Sequence, residues 1–163
     1  AQYRSAARLL DHAMNQIYFG SGTFKRNGRD GEDDVAGLAD AASKAAFLGE
    51  YSDTLHTIAK VGTARTLHHL LELYSYLADA APEEVFDRLA DLLVGPASRE
   101  GYHFESLGSD ALVRLVRRYL ADHREIFDDS GRRARLVAVL ELFSGAGWPE
   151  ALKLLYELPD LLR

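Results

Sequence analysis

The chain contains no cysteine, which removes disulfide staples, thiolate nucleophiles and zinc–thiolate centres. That absence fits a reducing compartment, and a cytoplasmic location is the expectation. No run approaches the roughly 18 apolar residues that a bilayer span requires. No basic-then-apolar leader opens the chain, so neither a membrane partner nor a signal peptide is expected. Val, Ile and Thr are too sparse for a sheet. Basic charge is the minority sign: 19 Lys and Arg stand against 25 Asp and Glu, a net charge of −6. That balance opposes indiscriminate nucleic-acid binding, which needs a basic face. Arg far outnumbers Lys, a bias of GC-rich bacterial genes, and the opening on Ala1 in place of Met reads as a piece of a larger protein.

What is present is a helix-forming mixture. Leu and Ala dominate and only four prolines interrupt them, a combination that favours helix throughout. An apolar fraction of 47% with 27% charged residues is that of a folded chain. At 163 residues one domain can bury about two-thirds of its extended surface. The expectation is a single all-helical domain over 1–163, with a flexible Gly-rich loop at 20–33.

About eight helices follow from apolar spacing. The first covers about 2–19, with Leu9, Leu10, Ala13, Met14 and Ile17 recurring at three and four. Asp33 and Asp34 are suited to start a second, about 34–48, by capping its free amides. Ser52 or Asp53 opens a third to about Val61, and Thr63 a fourth over about 64–80. In the fourth, Leu67, Leu70, Leu71, Tyr74 and Leu77 form one stripe while Leu73 and Tyr76 add another, the pattern of a helix sandwiched between layers. Pro82, followed by Glu83 and Glu84, starts a fifth helix that Gly95-Pro96 stops. A connector carries Tyr102-His103-Phe104, and a sixth helix runs from Ser109 or Asp110 to about Phe127. Asp128-Asp-Ser-Gly131 breaks it. The seventh covers about 132–143, and the eighth runs from Pro149 to about 158, limited by Pro159.

A shift of 66 positions lays Leu70, Leu71, Leu73, Tyr74, Tyr76 and Leu77 over Leu136, Val137, Val139, Leu140, Leu142 and Phe143. One residue later in phase, Pro82-Glu83 falls over Pro149-Glu150. Helix pairs with a proline opening the second member loosely resemble the HEAT and armadillo-like helical repeats over about residues 50–158. The resemblance implies stacked helix pairs and a scaffold that binds other proteins. The same spacing also suits an irregular helical bundle.

Residues that could carry chemistry are few. Gly20-Ser-Gly22-Thr-Phe-Lys25 lacks the preceding strand and the Gly-Lys-Ser/Thr ending of a phosphate loop. Asp30-Gly-Glu32-Asp33-Asp34 lacks the closing Glu of a calcium loop. His68 and His69 stand four and three residues before Glu72, a helical ligand spacing, yet no second copy of that element exists to complete a metal-dependent bundle enzyme. The face shared by His68, Glu72, Ser75 and Asp79 reads as solvated. His123 falls within the apolar arc of the sixth helix and reads as structural. No catalytic residue, cofactor or metal is expected.

The clearest surface feature is basic: Arg114, Arg117, Arg118, Arg124, Arg132, Arg133 and Arg135. Such a cluster suits phosphates or an acidic protein, while Asp110, Asp122, Glu125, Asp128 and Asp129 lie close enough in sequence to neutralise it. The functional expectation is a non-catalytic interaction scaffold, of the kind that serves as a regulatory tail of a larger protein, whose partner is a protein or another domain of its own chain. The alternative is a nucleic-acid-binding accessory module using the arginines.

Overall fold

A computed structural model of the chain describes residues 2–21, 40–61, 64–94 and 109–163. Among the described residues every regular element is helical and none is a strand. None of their helices is long and apolar enough to cross a membrane. Backbone contacts divide the chain into two compact units, Ala1–Ala81 and Pro82–Arg163.

The first unit comprises α1 (Gln2–Gly20), α2 (Ala41–Glu50), α3 (Ser52–Val61) and α4 (Ala64–Leu77). Helix α4 is the hub, and α1, α2 and α3 all pack against it. That is why it needs two apolar stripes: Leu67, Leu70, Leu73, Tyr74 and Leu77 are all buried. From α1, Met14, Ile17 and Tyr18 enter the core, whereas Ala-rich α2 contributes Leu48 alone. Lys44 adds a cation–π contact from α2, 4.1 Å from the centre of the Tyr76 ring. Two expected boundaries move. The described helix at α2 begins at Ala41 because Asp40 accepts the Ser43 amide at 2.7 Å; the expected caps Asp33 and Asp34 lie outside the described residues. Helix α4 ends at Leu77, and the chain turns there, with the Ala80 amide returning to the Leu77 carbonyl. Of the expected Gly-rich loop, Gly20 belongs to α1 and Ser21 follows it with a backbone bond to Ile17; the remainder lies outside the described residues.

The second unit comprises α5 (Pro82–Val94), α6 (Ser109–Asp122), a 3-10 turn (Arg124–Asp128), α7 (Ser130–Gly145) and α8 (Pro149–Leu161). Helix α5 packs on α7, α6 on α8, and α7 on α8. Directions follow from side-chain contacts. Glu83 and Asp87 meet Arg132, while Asp87 and Asp91 meet Arg135. Advancing along α5 therefore advances along α7, and the two run parallel. From the 3-10 turn just past α6, Arg124 Nη1 reaches the Leu161 carbonyl at the end of α8 at 3.5 Å. The unit is two helix pairs lying side by side, α5 and α7 in one layer, α6 and α8 in the other. In an up-and-down bundle α5 and α7 would be diagonal and separated; here they share a seam of ion pairs.

Between the layers lies an aromatic cluster. Phe86 of α5 meets Phe127 edge-on at 5.0 Å and Tyr119 of α6 at 5.6 Å, geometries that suit the ring quadrupole. The Tyr119 hydroxyl donates to the Pro82 carbonyl at 3.1 Å, so burying its polar end leaves no unmet donor.

This cluster explains where α6 stops. The expected helix to Phe127 ends instead at Asp122, and a 3-10 turn follows, swinging Phe127 into contact with Phe86 and Tyr119. Helix α7 starts at Ser130, two residues before expectation, because Asp129 accepts the Arg132 amide at 2.8 Å. Its other end closes with a left-handed Gly147, φ +92°. The Trp148 amide bonds to Phe143 and the Gly147 amide to Ser144, the paired bonds of a Schellman cap. Helix α8 continues past the expected stop with Pro159 inside it, to Leu161. A proline this close to the carboxyl end removes only one late hydrogen bond.

Candidate functional site

Adjacent residues on a helix project about 100° apart, and this separates the two histidines of α4. His68 is half-buried and its Nε2 lies 3.7 Å from Glu72 Oε1. Its Nδ1 is buried and meets no hydrogen-bond partner among the described residues. His69 turns toward α1 and stacks on Tyr18, ring centres 4.6 Å apart and planes 16° from parallel. The expected grouping of His68, His69 and Glu72 therefore comes down to the His68–Glu72 contact. Among the described residues no three His, Asp or Glu side chains converge to hold a metal ion.

A feature missed from sequence lies beside His69. Asp11 and Asn15 of α1 meet Thr66 and His69 of α4 around a polar notch of about 40 Å³. The buried Thr66 hydroxyl donates to the Asp11 carboxylate. The sequence carried a faint signal, since Asp11 and Asn15 are one turn apart, as are Thr66 and His69. The notch has room for a water molecule or two, far below the several hundred Å³ of an organic-ligand pocket.

His123 is not within a helix. It joins α6 to the 3-10 turn, with its amide bonded to the Tyr119 carbonyl at 2.9 Å. Its ring leans on that of Tyr119, centres 5.8 Å apart, and Nδ1 lies 4.0 Å from Glu125 Oε1.

The seven arginines separate into two groups. At the start of α7, Arg132 donates through Nε and Nη2 to both Asp87 oxygens at 3.1–3.3 Å and meets Glu83 at 2.9 Å. The hydrogen-bonded Asp87 raises the pKa of that guanidinium further, with burial opposing it less strongly. Arg135 bridges Asp87 at 3.5 Å and Asp91 at 3.2 Å. Arg133 donates to the Phe127 carbonyl at 3.0 Å. These three are structural struts. The acids that neutralise Arg132 and Arg135 come from α5, whereas of the acids near them in sequence Asp129 caps α7 and Glu125 sits beside His123.

On α6 the pattern differs. Arg118 is half-buried and engaged, and Arg124, in the 3-10 turn beyond it, reaches the end of α8. Arg114 and Arg117 are exposed and meet no acidic partner among the described residues. They stand one turn apart, opposite the buried stripe that includes Leu112, Val116 and Tyr119.

Helix α8 presents a second unusual face. Ala151, Leu154 and Leu158 are buried, yet Tyr156 is 80% exposed and Leu152, one turn before it, 44%. Charged neighbours flank them, Lys153 pairing with Glu157 and Asp160 with Arg163. Leu9 and Phe19 on α1 are also exposed, but they lie toward opposite ends of that helix, about 15 Å apart along its axis.

No protein family, curated protein or solved structure matches the chain.

Proposed function

We propose that the second unit is a docking module, a pair of stacked helix pairs that presents one rigid face to another protein or to another domain of its own chain. The observation that carries this reading is the outward side of α8. A tyrosine and a leucine one turn apart are given to solvent on a helix whose opposite side fills the core. Tyrosine is among the residues enriched at binding hot spots, because it brings apolar area and a hydroxyl at little entropic cost. The packing of α5 on α7, α6 on α8 and α7 on α8 is compatible with a HEAT-like stacking of helix pairs, in which layers form a continuous surface. The seam of Glu83, Asp87, Asp91, Arg132 and Arg135 satisfies its own charges and suits contact with water. The outward side of α8 carries Tyr156 and Leu152 instead, and the reading assigns the partner to it.

A photo-crosslinker placed at position 156 tests the reading in the native host, with position 141, exposed on α7, as the control. A discrete adduct is expected from 156, absent from 141, and lost when Leu152→Asp is added. Equal or no labelling at the two positions would refute the proposal.

A further inference from the structure

The first unit carries a feature that docking through α8 does not use. The geometry points to a divalent transition-metal site in the notch between α1 and α4: Asp11, Asn15 and His69 bind the ion, and Thr66 holds Asp11 in place.

The inward faces of both helices are otherwise apolar. Met14 and Ile17 of α1 and Leu67 and Leu70 of α4 are buried, and the two helices pack on one another. Within that packing Thr66 is only 1% exposed, and half-buried Asp11, Asn15 and His69 face it around one cavity. Withdrawing polar groups from water is costly. The Thr66–Asp11 bond needs neither an asparagine nor a histidine beside it, so packing alone does not call for this set.

Donor chemistry narrows the occupant. Asp11 and Asn15 stand one turn apart on α1, as Thr66 and His69 do on α4, so each helix offers its pair from a single face. The lining supplies a carboxylate, an amide oxygen and an imidazole, with no Lys or Arg among them, which suits a cation. Imidazole beside oxygen favours the zinc class of ions, whereas magnesium and calcium take oxygen ligands. No three His, Asp or Glu side chains meet here; the third donor is the Asn15 amide oxygen. Three protein ligands with water in the fourth position is an arrangement that zinc adopts. The cavity of about 40 Å³ admits an ion and its water and excludes an organic molecule.

Two of the donors are already oriented. The Thr66 hydroxyl donates to Asp11 Oδ1, the kind of outer hydrogen bond that fixes a ligating carboxylate. The His69 ring lies flat against buried Tyr18, centres 4.6 Å apart and planes 16° from parallel, which fixes the plane of its nitrogens. An ion entering the notch therefore immobilises little that is not already held.

The test is calorimetric titration of zinc chloride into the whole, untagged, chelator-treated chain, with magnesium chloride for comparison. One zinc per chain is expected, with magnesium at least about tenfold weaker. Asp11→Asn and His69→Phe, which keeps a ring on Tyr18, should each weaken zinc at least about tenfold, and Thr66→Val by about tenfold through Asp11. His68→Gln should change nothing, since His68 lies beside Glu72 on its own helix. Helical content should stay the same in every variant, and the native titration stands whether or not a variant folds. A zinc-to-protein ratio near zero, magnesium bound as tightly as zinc, or zinc affinity indifferent to Asp11→Asn and His69→Phe would overturn the inference. So would loss of zinc on His68→Gln alone, which would put the ion at His68 and Glu72.

Discussion

At the residue scale, Asp87 is the hinge of the charge seam, since it meets both Arg132 and Arg135. Its loss leaves neither guanidinium stranded, because Glu83 still holds Arg132 and Asp91 still holds Arg135. Asp87→Ala should therefore cost only about 1 kcal/mol in urea unfolding, less in high salt. A salt-independent loss several times larger would show that the seam is buried, which the half-exposed side chains contradict. Asp40 offers a test in pH. The Ser43 amide and then the Ser43 hydroxyl bond its carboxylate and hold its pKa below the usual aspartate range. A lowered folded-state pKa adds stability above the unfolded value, and that stability is lost as pH falls through the folded one. Asp40→Asn keeps an acceptor but no charge, so its deficit relative to the native chain should be visible near about pH 7 and shrink by about pH 3. An unchanged deficit would separate the cap from its charge.

At the element scale, helix ends were more legible than expected in some places and misread in others, for local reasons. Helix α5 starts as expected at Pro82, because a first-turn proline and two glutamates act within one turn; the expected stop at Gly95-Pro96 lies outside the described residues. Asp128-Asp-Ser-Gly131 was harder to read, since the same residues that discourage a helix interior also start one; Asp129 caps, and Ser130 and Gly131 lie inside α7. The end of α6 had no local marker. It is imposed by Phe86, more than thirty residues earlier in the chain, which draws Phe127 inward. Of the six pairs matched at a shift of 66 between α4 and α7, Leu70 and Leu136, Leu73 and Val139, Tyr74 and Leu140, and Leu77 and Phe143 are buried and Tyr76 and Leu142 half-buried, but Leu71 is buried where Val137 is half-buried; any two amphipathic helices packed on a core give this much. Gly147 makes a further prediction. Open space surrounds its Cα, so a methyl group would meet nothing, and the cost of Gly147→Ala comes from the left-handed backbone alone. It should lower stability by about 1–2 kcal/mol without altering the helical spectrum. A neutral result would mean that the α7–α8 turn does not depend on this conformation.

At the scale of the whole molecule, the compact unit from Pro82 onward encloses its own aromatic core and its own ion-pair seam. Residues 82–163 expressed alone should give a strongly helical far-ultraviolet spectrum and one cooperative melting transition. A broad, non-cooperative melt would show that the unit borrows its core from elsewhere.

Periodicity and capping act over three or four residues, so the all-helical class and most ends of the described helices were written in the chain itself. The same information listed seven arginines as one cluster. Packing decided which of them are struts and which face solvent, because ion pairing depends on distances between helices that no local pattern encodes. The parallel seating of α5 against α7 supplied acids to Arg132 and Arg135, while among the described residues none reaches Arg114 or Arg117.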